Sequence, residues 1–286
     1  MRIPRFWEQT KTEVVLPSGR RIASTTWGWS EHSAEEARSK AVEAAQRIAE
    51  RLTNAEDLPH QYGYDERLPR EEIIDEFTSD DGQTQAIVTR NGYGSLILNT
   101  SALMFIDVDL PPKPTEIPLP AFLRKWLGKS PPVDRVAENL DRIRTAARNR
   151  SNLGFRVYRT RAGFRVMVAS QAVRAESALA ERLLDEFDAD PLYRRMCKNQ
   201  QCFRARLTPK AWRCRIEKPP TRFPYATPSA ESAYRRWEKI YLQGIADYST
   251  CDFLETIGIQ RVDPNFAALV ALHDKLTKST STDRLA

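Results

Sequence analysis

Residues 104–110 read MFIDVDL, an apolar run that ends in two aspartates one residue apart. A strand projects residues i and i+2 to the same side, about 7 Å apart. Alternation therefore sends Ile106 and Val108 into a core and sets Asp107 and Asp109 together on one face. Two carboxylates that close repel each other unless a cation or a shared proton relieves them. Metals that handle phosphates take hard oxygen ligands, and Mg²⁺ is commonly held by one or two carboxylates plus the substrate's phosphates. The pair is read as a Mg²⁺ or Mn²⁺ site on a rigid strand. The alternative is a strand end whose aspartates only cap a turn.

Around this strand the chain mixes strand and helix signals. Residues 12–30 form a hairpin, TEVVL and RRIASTTWGW about Pro17-Ser18-Gly19. Ser33 with Glu36 is a capping-box signature that opens an Ala-rich helix to about Leu52. A loop with Tyr62-Gly63-Tyr64 precedes residues 70–77, read as a short helix. Strands QAIVTRN and SLILN meet at a Gly92-Tyr93-Gly94 turn and lead into ALMFIDVDL. Seven of eighteen prolines fall in residues 111–132 around AFLRKWLGK, a surface insertion, since prolines at that density exclude a central strand.

Helical spacing follows over residues 133–148, and FRVYRTRAGFRVMVAS is a hairpin about Ala162-Gly163. Helices are expected over 178–187 and 191–198, with a strand over 202–207. A second proline-rich stretch, 219–228, leads into SAYRRWEKIYLQGIADY and FAALVALHDKLTK. The order predicts an α+β fold, a mixed or antiparallel sheet flanked by helices. Its core spans residues 1–225, and residues 226–286 form a C-terminal helical region.

Charge is unevenly spread. Of 44 basic residues 33 are arginine, and residues 156–215 hold fourteen Lys/Arg against six Asp/Glu. Their excess of +8 leaves the rest of the chain at −2, given a net charge of +6. Arginine's planar fork suits phosphate, so a polyanion or nucleotide phosphate is the expected partner; a solvated basic face is the alternative. Phe155, Tyr158, Phe164, Phe203 and Trp212 interleave these cations, as core residues or as stacking platforms for bases.

The motif order resembles the archaeo-eukaryotic primase superfamily, especially its primase-polymerase branch with an RRM-like catalytic core. FIDVDL matches that family's apolar strand ending in D-x-D. RTRAGFRVMV matches a hairpin strand with Gly163 in place and Arg165 where the family carries a phosphate-contacting His. The run LLDEFDADPLYRRMCKNQQCFRARLTPK matches a later acidic position and an Arg-rich strand. The resemblance covers residues 87–210. It implies metal-dependent nucleotidyl transfer, a 3′-hydroxyl attacking an α-phosphate between two ions, on nucleoside triphosphates with DNA or RNA as primer and template. It assigns Asp107, Asp109 and a third carboxylate to metal and catalysis. That third group is Asp185, Asp188 or Asp190, with Asp190 preferred for its place before the RARLTPK strand. Arg159, Arg161, Gly163, Arg165, Arg204, Arg206 and Lys210 are assigned to nucleotide and template phosphates.

Arg165 is a permanent cation and cannot shuttle a proton as histidine does. A non-catalytic nucleotide- or nucleic-acid-binding protein on the same fold is therefore the rival reading. A metal-dependent nuclease is a further one, and an interaction protein docking through AFLRKWLGK is a third. The three histidines, His32, His60 and His273, fall outside the motifs and are read as structural or surface residues. Four cysteines without a CxxC pair read as reduced thiols, with Cys197, Cys202 and Cys214 an irregular zinc alternative. No run approaches ~18 apolar residues and the N-terminus lacks an apolar signal core, so no membrane partner and a cytoplasmic location are expected.

Overall fold

A computed structural model describes residues 1–16, 18–54, 68–79, 81–110 and 134–286. The AFLRKWLGK insertion, Tyr62-Gly63-Tyr64, His60 and Pro17 lie outside the described residues. In chain order the elements are β1 (Phe6–Val15), β2 (Arg21–Ser30), α1 (Ala34–Thr53), β3 (Glu72–Thr78), β4 (Thr84–Arg90), β5 (Leu96–Thr100) and β6 (Met104–Asp109). There follow α2 (Arg135–Arg148), β7 (Gly154–Thr160), β8 (Gly163–Val168), α3 (Ala178–Glu186), α4 (Pro191–Gln200) and β9 (Phe203–Arg206). The chain continues with α5 (Pro228–Gly244), β10 (Tyr248–Ser249), β11 (Cys251–Gly258), α6 (Ala267–Thr277) and β12 (Arg284–Leu285). The fold is α+β, with mainly antiparallel sheets. No helix among the described residues is long and apolar enough to cross a membrane.

Two compact units share the chain. Unit 1 comprises Met1–Ser101, Arg195–Arg204 and Lys210–Ala246; unit 2 comprises Ala102–Arg194, Ala205–Pro209 and Asp247–Ala286. Residues 226–286 are not all helix: they give α5 to unit 1, and strand β11 as well as α6 to unit 2.

In unit 1 the β1–β2 hairpin pairs from Phe6↔Ser30 to Val15↔Arg21 and packs on α1. The helix buries only alanines there, Ala37, Ala41 and Ala45. Gly28 permits that approach, because a Cβ at this position would stand 2.0 Å from the Ala37 carbonyl oxygen. Ser33 caps α1 by accepting the Glu36 N–H at 3.1 Å. The other half of the capping box is not made: the Glu36 carboxylate accepts from the Ser30 hydroxyl and from Lys40 instead.

Residues 72–78 form strand β3, not the helix expected over 70–77. Their apolar positions Ile73, Ile74 and Phe77 suit either period in so short a run, and the antiparallel edge of β4 decides it. The sheet order is β3-β4-β5-β9. A separate aromatic cluster of Tyr234, Trp237 and Tyr241 closes over Ala211.

Unit 2 is built on an antiparallel sheet ordered β11-β7-β8-β6. Alternation sends Phe155, Val157, Ile106 and Val108 to one face, where Phe155 meets Phe187 at the end of α3 with ring centroids 5.2 Å apart. The opposite face carries Phe105, Asp107, Asp109, Arg165, Arg156 and Tyr158, and α6 lies on it through His273, 5.4 Å from the Phe105 ring and 4.9 Å from that of Tyr158.

Candidate functional site

Strand register places Asp107 opposite Arg165, Arg165 opposite Tyr158, and Tyr158 opposite Phe253, one row across all four strands. Residues directly opposite share a face. Arg165 Nε approaches Asp107 Oδ1 at 3.3 Å. Its Nη1 donates to the Arg206 carbonyl at 2.9 Å and lies 3.3 Å from His273 Nε2. Burial opposes the charge on Arg165, but Asp107, Cys251 and Tyr193 together outweigh it and the guanidinium's pKa is raised. Asp109, two residues on, is opposite Gly163 and exposed.

Behind this pair runs a buried polar chain. A guanidinium only donates, so His273 Nε2 must accept and Nδ1–H must donate to Asp274 Oδ1, 3.0 Å away. Asp274 also accepts from the Tyr158 hydroxyl at 2.8 Å and from Arg156 at 2.6 Å. Burial pushes the His273 ring down to about 4, so it is neutral. Burial would raise the Asp274 carboxyl, but hydrogen bonds from His273 and Tyr158 hold it below its ordinary value. The order Asp107, Arg165, His273, Asp274 alternates acceptor and donor, so each buried group is satisfied.

The other expected site residues take different roles. Asp190 lies close by, its N–H donating to the Asp107 carbonyl at 3.0 Å. Its carboxylate, however, caps α4 by accepting the Tyr193 N–H at 2.6 Å. Asp185 pairs with Arg194 at 2.6 Å and Asp188 with Arg142 at 3.0 Å. No group of three or more His, Cys, Asp or Glu side chains among the described residues is arranged to hold a metal.

Arg159 turns back on its own hairpin, donating to the carbonyls of Thr160 and Gly163. Arg161 is exposed in the turn, beyond the end of β7, with Nη1 3.4 Å from the Leu285 carbonyl. Strict alternation therefore stops before Arg161. Gly163 is buried between strands, where a Cβ would meet the Val108 carbonyl oxygen at 2.0 Å.

Arg204 and Lys210 belong to unit 1. Arg204 is buried and bound to both Glu71 oxygens at 2.7 Å and to Gln200 at 2.8 Å, an interior ion pair. Lys210 Nζ sits 5.2 Å from the centre of the Trp212 ring. Arg206 is half-buried, and its carbonyl serves Arg165. The three cysteines of the zinc alternative are buried and form no disulfide, and they are not grouped to hold a metal among the described residues.

Sequence pattern did not single out His273 and Asp274. Their only signal is a His-Asp pair on the apolar helix FAALVALHDKLTK, whose docking partner no local pattern specifies. No protein-family model, curated protein or solved structure matches the chain.

Proposed function

We propose that unit 2 is a primase-polymerase-type core acting on nucleotides, with Asp107 and Asp109 as its metal-binding carboxylates. The observation that supports it is the Asp107–Arg165 pairing on neighbouring strands, with Asp109 exposed beyond it on the same face. Two hard oxygen donors on one strand meet what Mg²⁺ asks of a protein when the substrate brings its own phosphates. Arg165 already neutralises Asp107, so the residues fit an ion delivered with a nucleotide better than a resident one. Such an ion supplies charge neutralisation on the transferred phosphate. Arg165 then acts as a positioning residue: it orients the Asp107 carboxylate, and the His273–Asp274 pair orients Arg165.

The test is primer extension with Mg²⁺ or Mn²⁺ by the wild type and Asp109→Ala. Loss of at least 100-fold in the variant is expected. Full activity in Asp109→Ala would remove the carboxylates from the reaction.

A second reading, binding without catalysis, is favoured by one observation. Arg165 is buried against three protein groups, and the Asp190 carboxylate is occupied by a helix cap, so two of the residues assigned to chemistry have structural duties. It predicts salt-sensitive nucleic-acid binding that EDTA does not change and that Asp109→Ala retains.

A further inference from the structure

Unit 1 holds a second cluster of cations, beside its Tyr234–Trp237–Tyr241 aromatic cluster. Arg70, Glu72, Arg90, Arg222, Tyr225 and Tyr234 line a cavity of about 10 Å³, room for one water molecule. Two of its lining groups carry a buried atom with no hydrogen-bond partner among the described residues, Arg90 Nε and the Tyr234 hydroxyl. Arg90's side chain is 9% exposed and Tyr234 is 3% exposed. Buried polar atoms are rarely left unpaired, and those that are call for a missing partner.

The chemistry of that partner follows from the groups present. A guanidinium has no acceptor atom, and burial raises the Tyr234 phenol well above its ordinary range, so it keeps its proton to donate. Glu72 is the one acid in the lining, and Arg235 donates to both of its oxygens, while the far side of the Arg90 guanidinium is ion-paired through Nη2 with Glu238. Glu72 Oε2 stands 3.8 Å from Arg90 Nε, too far for a hydrogen bond. Arg222 is exposed, with no ion pair or hydrogen bond to its side chain among the described residues, and its Cδ lies 3.7 Å from where Gly92 would carry a Cβ. Arg90 Nε and the Tyr234 hydroxyl therefore call for an acceptor oxygen, and Arg222, the cation beside them without a counter-ion among the described residues, favours one that carries negative charge.

The neighbouring residues narrow the anion. Tyr93, next to Gly92 in the chain, packs edge-on against Trp212 with centroids 5.0 Å apart and planes at 76°. Trp212 is 51% exposed. It is fixed by buried Ala211 and Cys214 in one short 3₁₀ turn. A held, half-open indole beside a cationic cavity matches a planar ring joined to a phosphate.

We propose that this face of unit 1 binds the phosphate of a nucleotide, one oxygen entering toward Arg90 and Tyr234 while Arg222 clasps the others and the base stacks at Trp212. The phosphate comes from a free nucleotide or from the 5′ end of a nucleic acid; the recognised chemistry is the same. The site needs no metal and is independent of Asp107 and Asp109.

The experiment is calorimetric titration in EDTA with inorganic phosphate, adenosine, adenosine 5′-monophosphate, and one oligonucleotide with and without a 5′-phosphate. The monophosphate should bind at least tenfold more tightly than adenosine. Arg222→Ala should cut its binding at least tenfold, and Trp212→Ala should weaken the monophosphate but not inorganic phosphate. Both replaced side chains are exposed, so folding is preserved. Tighter binding of the 5′-phosphorylated oligonucleotide than of the mononucleotide assigns the nucleic-acid end; the reverse assigns the free nucleotide. Equal binding of adenosine and its monophosphate, no effect of Arg222→Ala, or equal competition by a glutamate peptide would overturn the proposal.

Discussion

Arg165 and Asp107 form an unequal ion pair, the guanidinium 4% exposed and the carboxylate 37% exposed across 3.3 Å. An interior cation is thus tied to a surface anion. Asp107 is needed for the interior whether or not it meets a ligand, whereas Asp109, two residues on, is exposed.

Removing Asp107 leaves a buried charge without its counter-ion. Asp107→Ala should cost about 2–4 kcal/mol in urea denaturation, near the range for a broken buried pair. Asp109→Ala should stay within about 0.5 kcal/mol of the wild type. Equal, small effects for both variants would contradict the buried pairing.

Acid should destabilise unit 2 through His273. Its ring titrates near 4 when folded and near 6.5 when unfolded. Between those values the unfolded chain binds the extra proton, so stability is full above about pH 6.5 and falls as pH drops toward 4. The whole loss is on the order of 3 kcal/mol. Asp274, held low in the fold, adds a loss only below about pH 4. In His273→Gln the decline between pH 6.5 and 4 should flatten when melting is followed across that range.

Arg204 and Glu71 form an interior pair, with Thr89 donating to Glu71 at 2.5 Å. Arg204→Ala should therefore lower stability by about 3–5 kcal/mol. At a temperature where the variant remains folded, the salt dependence of any nucleic-acid binding should match the wild type. A reduced slope would return Arg204 to a phosphate-contacting role.

Gly163→Ala brings a methyl group against the Val108 carbonyl, which is backbone and cannot swing aside. A loss of about 1–3 kcal/mol is expected, the cost of overpacking, with faster hydrogen exchange at the β6–β8 end. Unchanged exchange there would mean that the strands tolerate the spread.

What the sequence made legible was local. The β7–β8 hairpin, the alternation of β6 and the N-terminal cap of α1 each depend on neighbours a few residues apart, and each appears where expected. Asp107 facing Arg165 also follows once the two strands pair, because alternation fixes which residues share a face. Strand β11 was missed, since CDFLETIG becomes a strand only by adding to β7 about ninety residues earlier. The same distance hid the ligands of the cations: Glu71 is 133 positions from Arg204, and His273 is 108 from Arg165. A basic residue in a sequence looks available until the fold supplies its anion.

The chain passes between its two units five times. No single cut can release either one whole, and a fragment ended at residue 225 would forfeit α5, β11 and α6 together. During synthesis, unit 1 waits for α5 to leave the ribosome, and unit 2 stays an incomplete sheet until β11 has followed it. For that interval β7 keeps one edge open, and Tyr158 has no Phe253 opposite it.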